Sequence, residues 1–380
     1  MQYRAFPKLP DLPISTLGFG CMRLPLEGAD PSHIDEAAAT ALLHEAIEAG
    51  VNYVDTAWPY HAGASEPFVG RALAGPWRER VQLATKLPVW LVETEADWER
   101  YLEQQLVRLA TDRIDFYLLH ALEGERWETV QRLSGLAALE RARAAGLVRH
   151  VGFSFHGPPE TFRQIVDGYD WDFCQIQFNY LDEQYQAGID GLRHAAARRV
   201  GTIAMEPLRG GALAAAPPDV ERIFARTGRP WRPAEWALRW VWRHPEVVTL
   251  LSGMNAPAQL RENIAAACDA GPLADDDLAA VEAAKAFFHA RMAVPCTTCG
   301  YCLPCPQEVS IPDVFAFYNA AHMFGSKAEP GRVYEMFFRS AGAGGDRCIE
   351  CGECRSKCPQ SIAIPERLKE ADDFLVDPAH

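Results

Sequence analysis

The stretch WERYLEQQLVRLATDRIDFYLLH, Trp98 to His120, decides how the chain is organised. Its first half, WERYLEQQLVRLA (98–110), spaces apolar residues three and four apart among Glu, Gln and Arg, which is the pattern of an amphipathic helix. Its second half, RIDFYLLH (113–120), is a short run of apolar and aromatic residues with the composition of a buried strand. The same alternation recurs on both sides. Strand-like runs are GFGCMRL (18–24), NYVDT (52–56), VQLATK (81–86), VRHVGFS (148–154), FCQIQF (173–178), GTIAM (201–205) and VVTLL (247–251). Helical spacing fills the intervals, as in ATALLHEAIEAG (39–50) and TVQRLSGLAALERARAAG (129–146). Strands separated by helices pair in parallel, because a parallel pair needs a crossover connection. Eight such units over about 270 residues predict a (β/α)8 barrel, the TIM barrel. An open doubly wound sheet would be expected to carry GxGxxG after its first strand, and GFGCMR does not supply it.

Composition narrows the function. Apolar residues make up 48% and charged residues 23% of the 380, values of an ordinary globular protein. A formal net charge of −14 without basic runs speaks against nucleic acid and anionic membranes as partners. MQYRAFPKLPDLPIS lacks an apolar signal core, and no window approaches the ~18 apolar residues of a membrane span, so a cytoplasmic protein is expected.

Beyond Gly271, ADDDLAAVEAAKAFFHARM (274–292) reads as a helix leading off the barrel, and the composition then changes. Of the eleven cysteines, eight lie between Cys296 and Cys358, around an apolar aromatic stretch (311–324) and a glycine-rich turn (341–346). The expected division is a barrel over 1–290 and a small cysteine-bearing domain, α-helical or ferredoxin-like, over 291–380. Cys21, Cys174 and Cys268 stand among apolar neighbours and read as small core residues.

Reactive groups in such a barrel gather at the C-terminal strand ends. Three strand ends here carry ionisable residues: Asp55 with Tyr60 just beyond it, Lys86 and His120. Singly, each could be a cap, a snorkelling side chain or a satisfied core histidine. Together they have a use, since a tyrosine hydroxyl can protonate a carbonyl oxygen if a neighbouring cation eases charge build-up on the phenolate. Lys86 could supply that cation, Asp55 could hold it, and His120 could orient or polarise the carbonyl.

With VDTAWPYHAGASEPFVG (54–70), LATK (83–86), DFYLLH (115–120), VGFS (151–154), QIQFN (175–179), EPLRGGAL (206–213) and SGMNAPAQLRENI (252–264) in this order, the chain resembles the aldo/keto reductase superfamily over about residues 3 to 268. The resemblance implies a tetrad of Asp55, Tyr60, Lys86 and His120, with Tyr60 as proton donor in an NAD(P)-dependent reduction of an aldehyde or ketone, or the reverse oxidation of an alcohol. By position it also implies that Ser154 and Gln175 contact the nicotinamide carboxamide. The loop Leu208 to Leu213, with Gly210 and Gly211, and the turn Gly253, Met254, Asn255 would approach the phosphates, a role suited to amides beside a helix start. Glu262 and Asn263 would face the adenine. Phe155 replaces the family's usual Asn after the serine, and Met205 replaces the aromatic residue that usually stacks on the nicotinamide. Gly253 and Gln259 stand where basic residues usually grip a 2′-phosphate, and Arg261 points elsewhere on its helix, so the choice between NAD and NADP stays open.

The cassette CIECGECRSKCP, with Cys348, Cys351, Cys354 and Cys358, has the C-x2-C-x2-C-x3-C-P spacing of the bacterial ferredoxin run, in which three cysteines hold one [4Fe–4S] cluster and the fourth serves the other. CTTCGYCLPCP, with Cys296, Cys299, Cys302 and Cys305, is one residue shorter before its last cysteine. Zinc would require two unusually dense sites, and cysteines three apart rarely meet disulfide geometry. The pair therefore resembles a two-cluster ferredoxin. Crossed ligation assigns one cluster to Cys296, Cys299, Cys302 and Cys358, and the other to Cys348, Cys351, Cys354 and Cys305; an uncrossed arrangement is the alternative. Two roles stay open: clusters that hold a small domain together, and clusters that pass electrons to a redox protein partner. The competing function is an electron-transfer or redox-sensing protein whose barrel binds a ligand without turnover.

Overall fold

The computed structural model describes residues 1–28, 30–269, 271–296, 298 and 300–376. Two strands, β1 (Tyr3–Phe6) and β2 (Leu9–Ser15), form an antiparallel hairpin. Eight more, β3 (Leu17–Gly20), β4 (Tyr53–Asp55), β5 (Gln82–Leu87), β6 (Ile114–Leu122), β7 (Val148–Phe155), β8 (Phe173–Gln177), β9 (Gly201–Met205) and β10 (Val247–Ser252), close into a barrel in that order, with β10 beside β3. Every barrel pair is parallel. The eight strand-like runs thus become the eight barrel strands. The first is shorter than its run, because after Gly20 the chain leaves the sheet.

The hairpin was not foreseen in LPDLPIS, whose two prolines and mixed polarity give no strand signal by themselves. Tertiary packing makes it a strand. Its Phe6 and Ile14 join Tyr53, Ala84, Phe116, Phe173 and Ile203 in one buried cluster, and the Phe6 ring lies 5.3 and 5.8 Å from those of Phe116 and Phe173. Gly201 opens β9 beneath it, where a Cβ would stand 2.2 Å from the Phe6 ring, so only glycine admits the plug.

The described chain forms two compact units. One comprises Met1–Ala214 with Trp231–Leu273, and the other comprises Ala215–Pro230 with the chain from Ala274 onward. In the second unit the helix Asp275–His289 is fastened to the Ala215–Pro230 segment by Arg229, which reaches both Asp277 carboxylate oxygens at 2.9 and 2.8 Å. Its other helices include Ile311–Phe324, Ala328–Tyr334 and Ile364–Val376. Their core gathers Val294, Ile311, Val314, Phe315, Tyr334 and Leu368 around Cys302. Among the described residues no helix is long and apolar enough to cross a membrane.

Candidate functional site

The barrel places Asp55 at the end of β4, Lys86 near the end of β5 and His120 near the end of β6; the register pairs Asp55 with Ala84 and Lys86 with Leu118, so Lys86 and His120 each lie two residues beyond the neighbouring residue's partner and on the same face. Lys86 Nζ donates to Asp55 Oδ1 at 2.6 Å, to the Thr56 carbonyl at 2.9 Å and to Tyr60 Oη at 3.1 Å. The Lys86 ammonium is wholly shielded from solvent. Burial alone would lower its pKa, but Asp55 and Tyr60 outweigh that, and the group is held up and charged. Burial raises the Tyr60 phenol, with Lys86 pulling it back down. The His120 ring lies edge-on to Tyr60, with centroids 6.2 Å apart. Burial, then the charge of Lys86, hold His120 well below its ordinary pKa, so it stays neutral. Its Nδ1 has no partner. Trp90 stands 5.1 Å from the His120 ring, with the Arg126 guanidinium 5.5 Å from the Trp90 ring centre.

Tyr60 begins a turn in which His61, Ala62 and Gly63 all take positive φ, at 54°, 51° and 93°. The His61 ring anchors it: Nε2 accepts from the Leu24 amide at 3.1 Å, and Nδ1 therefore donates to the Pro31 carbonyl at 2.9 Å. His61 was not singled out in the sequence, because its partners lie on the β3–β4 connection more than twenty residues away.

Beside the tetrad, Ser154 on β7 and Gln175 on β8 are neighbours in register and buried. Ser154 Oγ accepts from the Ala121 amide at 2.7 Å, which leaves its own O–H to donate. Gln175 Oε1 is a buried acceptor without a partner, while its Nε2 lies 3.5 Å from Met205 Sδ. A free donor and an orphaned acceptor at one point match the oxygen and the NH2 of a carboxamide, so these residues fit a nicotinamide.

The outer contacts are less uniform. Leu208 accepts from the amides of Gly211 and Leu213, at 2.9 and 3.1 Å, so that loop's own turn uses these donors; Leu213 is buried. Gly210 and Gly211 hold positive φ of 66° and 99°. Arg23 bridges the two predicted phosphate loops: its stem comes within 3.1 Å of where a Cβ on Gly253 would stand, and its guanidinium within 3.0 Å of the same point on Gly210. Sequence reasoning missed Arg23, although GFGCMRL put it just past a strand end. Met254 is buried, and Gln259 Oε1 accepts from the Asn255 amide at 3.0 Å, capping the turn. Glu262 lies 3.4 Å from Arg232, and Asn263 is buried with its amide 3.1 Å from Ser252 Oγ. Arg261 pairs with Glu45 at 2.7 Å, away from the turn.

In the second unit two neighbouring small cavities divide the thiols. Cys296, Cys302 and Cys358 line the first, with Phe315 and Ile364. Cys305, Cys348, Cys351 and Cys354 line the second, and Cys302 touches it. Burial, then the neighbouring Cys348, push the Cys354 thiol up, with Cys351 and Cys305 adding to the effect. Cys299 lies outside the described residues. Among the described residues no group of His, Cys, Asp or Glu converges as ligands of a single ion. Thiols set around a cavity rather than a point fit a cluster.

A tetrad-bearing parallel barrel and a cysteine-lined helical unit define the class. Residues 16–286 match the aldo/keto reductase family and residues 295–363 match a 4Fe-4S dicluster domain. The chain belongs to the aldo/keto reductase family of oxidoreductases and carries a C-terminal 4Fe-4S domain. Among its relatives, the uncharacterized oxidoreductase YqkF of Bacillus subtilis (strain 168) is 27% identical over 72% of this chain and 93% of its own length. The NADH-specific methylglyoxal reductase of Escherichia coli (strain K12) is 26% identical over 67% of this chain and 90% of its own. The aldo-keto reductase AKR11C1 from Bacillus halodurans, in its holo form, superposes with a TM-score of 0.62 at 26% identity, covering 74% of this chain and 96% of that one. An aldo-keto reductase from Klebsiella pneumoniae in complex with NADPH gives 0.61 at 25% identity over 74% and 94%.

Proposed function

We propose that the protein reduces an aldehyde or ketone to an alcohol, or runs the reverse reaction, with an NAD(P) dinucleotide at the barrel mouth and Tyr60 as the proton donor. The observation that carries this is the buried Lys86 ammonium, 3.1 Å from Tyr60 Oη and 2.6 Å from Asp55. When bound, the dinucleotide supplies the hydride. Tyr60 gives its proton to the carbonyl oxygen, and the phenolate it leaves is met by Lys86. Asp55 keeps that lysine charged in a site where burial would otherwise discharge it. His120 stays neutral and directs the carbonyl oxygen toward Tyr60. Ser154 and Gln175 would hold the carboxamide, and the NADPH complex of the Klebsiella pneumoniae relative supports a nicotinamide cofactor. The test is calorimetry with NADH and NADPH on cluster-loaded protein, followed by turnover on a carbonyl panel; absence of binding by both would sink the reading.

Arg23 is assigned to the pyrophosphate, because it spans the loops of Gly210 and Gly253 and the amides of the first loop are already engaged. Arg23→Ala is expected to weaken dinucleotide binding about tenfold and to flatten its salt dependence, as loss of one charge-assisted contact does. An unchanged dissociation constant at low salt would remove Arg23 from the site.

The cysteines are read as ligands of two [4Fe–4S] clusters in crossed arrangement, supported by the way the thiols divide between cavities. Structural clusters are the favoured role: Cys302 belongs to the unit's hydrophobic core, and Cys296, Cys305, Cys348, Cys354 and Cys358 pack against it.

A further inference from the structure

One buried carboxylate, Glu66, is tied by hydrogen bonds to β5 and, through Gln105, to β6, and by an ion pair with Arg108 to the turn that begins at Tyr60. Glu66 has no exposure, although it lies only six residues after Tyr60. Its Oε1 accepts from Thr85 Oγ1, one residue before Lys86, and from Gln105 Nε2, both at 2.6 Å. Gln105 Nε2 also lies 3.0 Å from the Lys86 carbonyl, and Gln105 Oε1 accepts from Tyr117 Oη at 2.7 Å, three residues before His120. The second Glu66 oxygen is 3.1 Å from Arg108 Nε. Arg108 turns the connection back toward Tyr60: its guanidinium donates to the Trp58 carbonyl at 3.3 Å and to the Gly63 carbonyl, and it lies 4.0 Å from the centre of the Trp58 ring.

Those two carbonyls bracket the turn of positive φ that begins at Tyr60. For His61 and Ala62 this conformation costs free energy and persists only where the surroundings dictate it. A guanidinium fork suits the task, since its donors are fixed in a plane. The fork is brought within reach by Gly70, where a Cβ would meet the Leu109 backbone at 2.6 Å, so the helix Ser65–Ala72 lies directly against the end of the helix Ala96–Arg108.

We infer that Arg108 and Glu66 are positioning residues that fix the Tyr60 hydroxyl against the Lys86 ammonium. They act through the Trp58–Gly63 turn and the β5 strand. The inference rests on the proposed role of Tyr60. A misplacement on the order of 1 Å costs about a hundredfold in rate.

The test uses the full, cluster-loaded chain. Arg108→Ala is expected to lower kcat by about 10- to 100-fold while the NAD(P)H dissociation constant stays within about twofold. The alkaline limb of the reduction profile should move up, because Lys86 is what holds the phenol down; Asp55, His120 and Glu206 also face Tyr60 and are unaltered. Added methylguanidinium should restore part of kcat, since the Arg108 side chain is 19% exposed. Arg108→Lys, which lacks the fork, should resemble Arg108→Ala. Glu66→Gln, which keeps the shape, should lose less and serves if Arg108→Ala fails to fold. An unchanged kcat overturns the inference, as does a loss of kcat with the alkaline limb unmoved and no rescue. Tyr60→Phe separates the readings: if it turns over normally, the proton-donor assignment fails first; if it is inactive while the Arg108 and Glu66 variants are normal, only the positioning role falls.

Discussion

Tyr60→Phe is expected to lower carbonyl reduction by about 10²- to 10⁴-fold, the range spanned by a positioned general acid. The variant removes one oxygen from a side chain whose ring is otherwise packed, and Lys86 retains Asp55 and the Thr56 carbonyl as partners. Dinucleotide affinity should therefore be preserved, and the loss should fall on kcat. Lys86→Met is a different experiment. It leaves the Asp55 carboxylate buried without its cation, and breaking a buried pair costs about 3–5 kcal/mol. Thermal or denaturant melts should separate the two: near wild type for Tyr60→Phe, clearly lowered for Lys86→Met. Normal turnover by Tyr60→Phe would assign the proton to another group.

The second large effect is expected from the cysteines. If the clusters hold the helical unit together, stripping iron with a chelator should abolish a large part of its helical circular dichroism, because metal binding and folding are one equilibrium in small metal-dependent units. Retention of the full helical signal without iron would show a unit that folds by its apolar core. Paired substitutions decide the wiring. With crossed ligation, Cys305→Ser with Cys351→Ser strikes one cluster and should leave about half of the iron, whereas Cys305→Ser with Cys296→Ser strikes both. Uncrossed ligation reverses those outcomes. The grouping of Cys358 with Cys296 and Cys302, and of Cys305 with Cys348, Cys351 and Cys354, favours the first result.

Much of this was legible before any coordinates. Alternation of two periods, 3.6 for helices and short buried runs for strands, is a local property, and eight repeats of it imply a closed parallel barrel. The strand-end position of Asp55, Lys86 and His120 follows from the same pattern. The cysteine spacing is equally local, since each C-x2-C-x2-C run is read within one short stretch of chain.

What stayed hidden depends on partners far apart in the chain. Nothing in LPDLPIS announces a strand until Phe6 and Ile14 find the open end of the barrel. Arg108 and Glu66 look like ordinary helix-surface charges; closure of β4, β5 and β6 buries Glu66 and aims Arg108 at the Tyr60 turn. The Asn263 amide likewise finds Ser252 Oγ, a partner reached across the turn after β10. The sequence by itself determined the barrel, the residue types of its tetrad and the two cysteine cassettes, because these rest on short-range periodicity and spacing. Only the tertiary structure decided which side chains contact the Tyr60 turn, that Ser154 and Gln175 stand side by side, and which cysteines share a cavity. Those outcomes depend on barrel closure and helix docking, which join residues that no local pattern links.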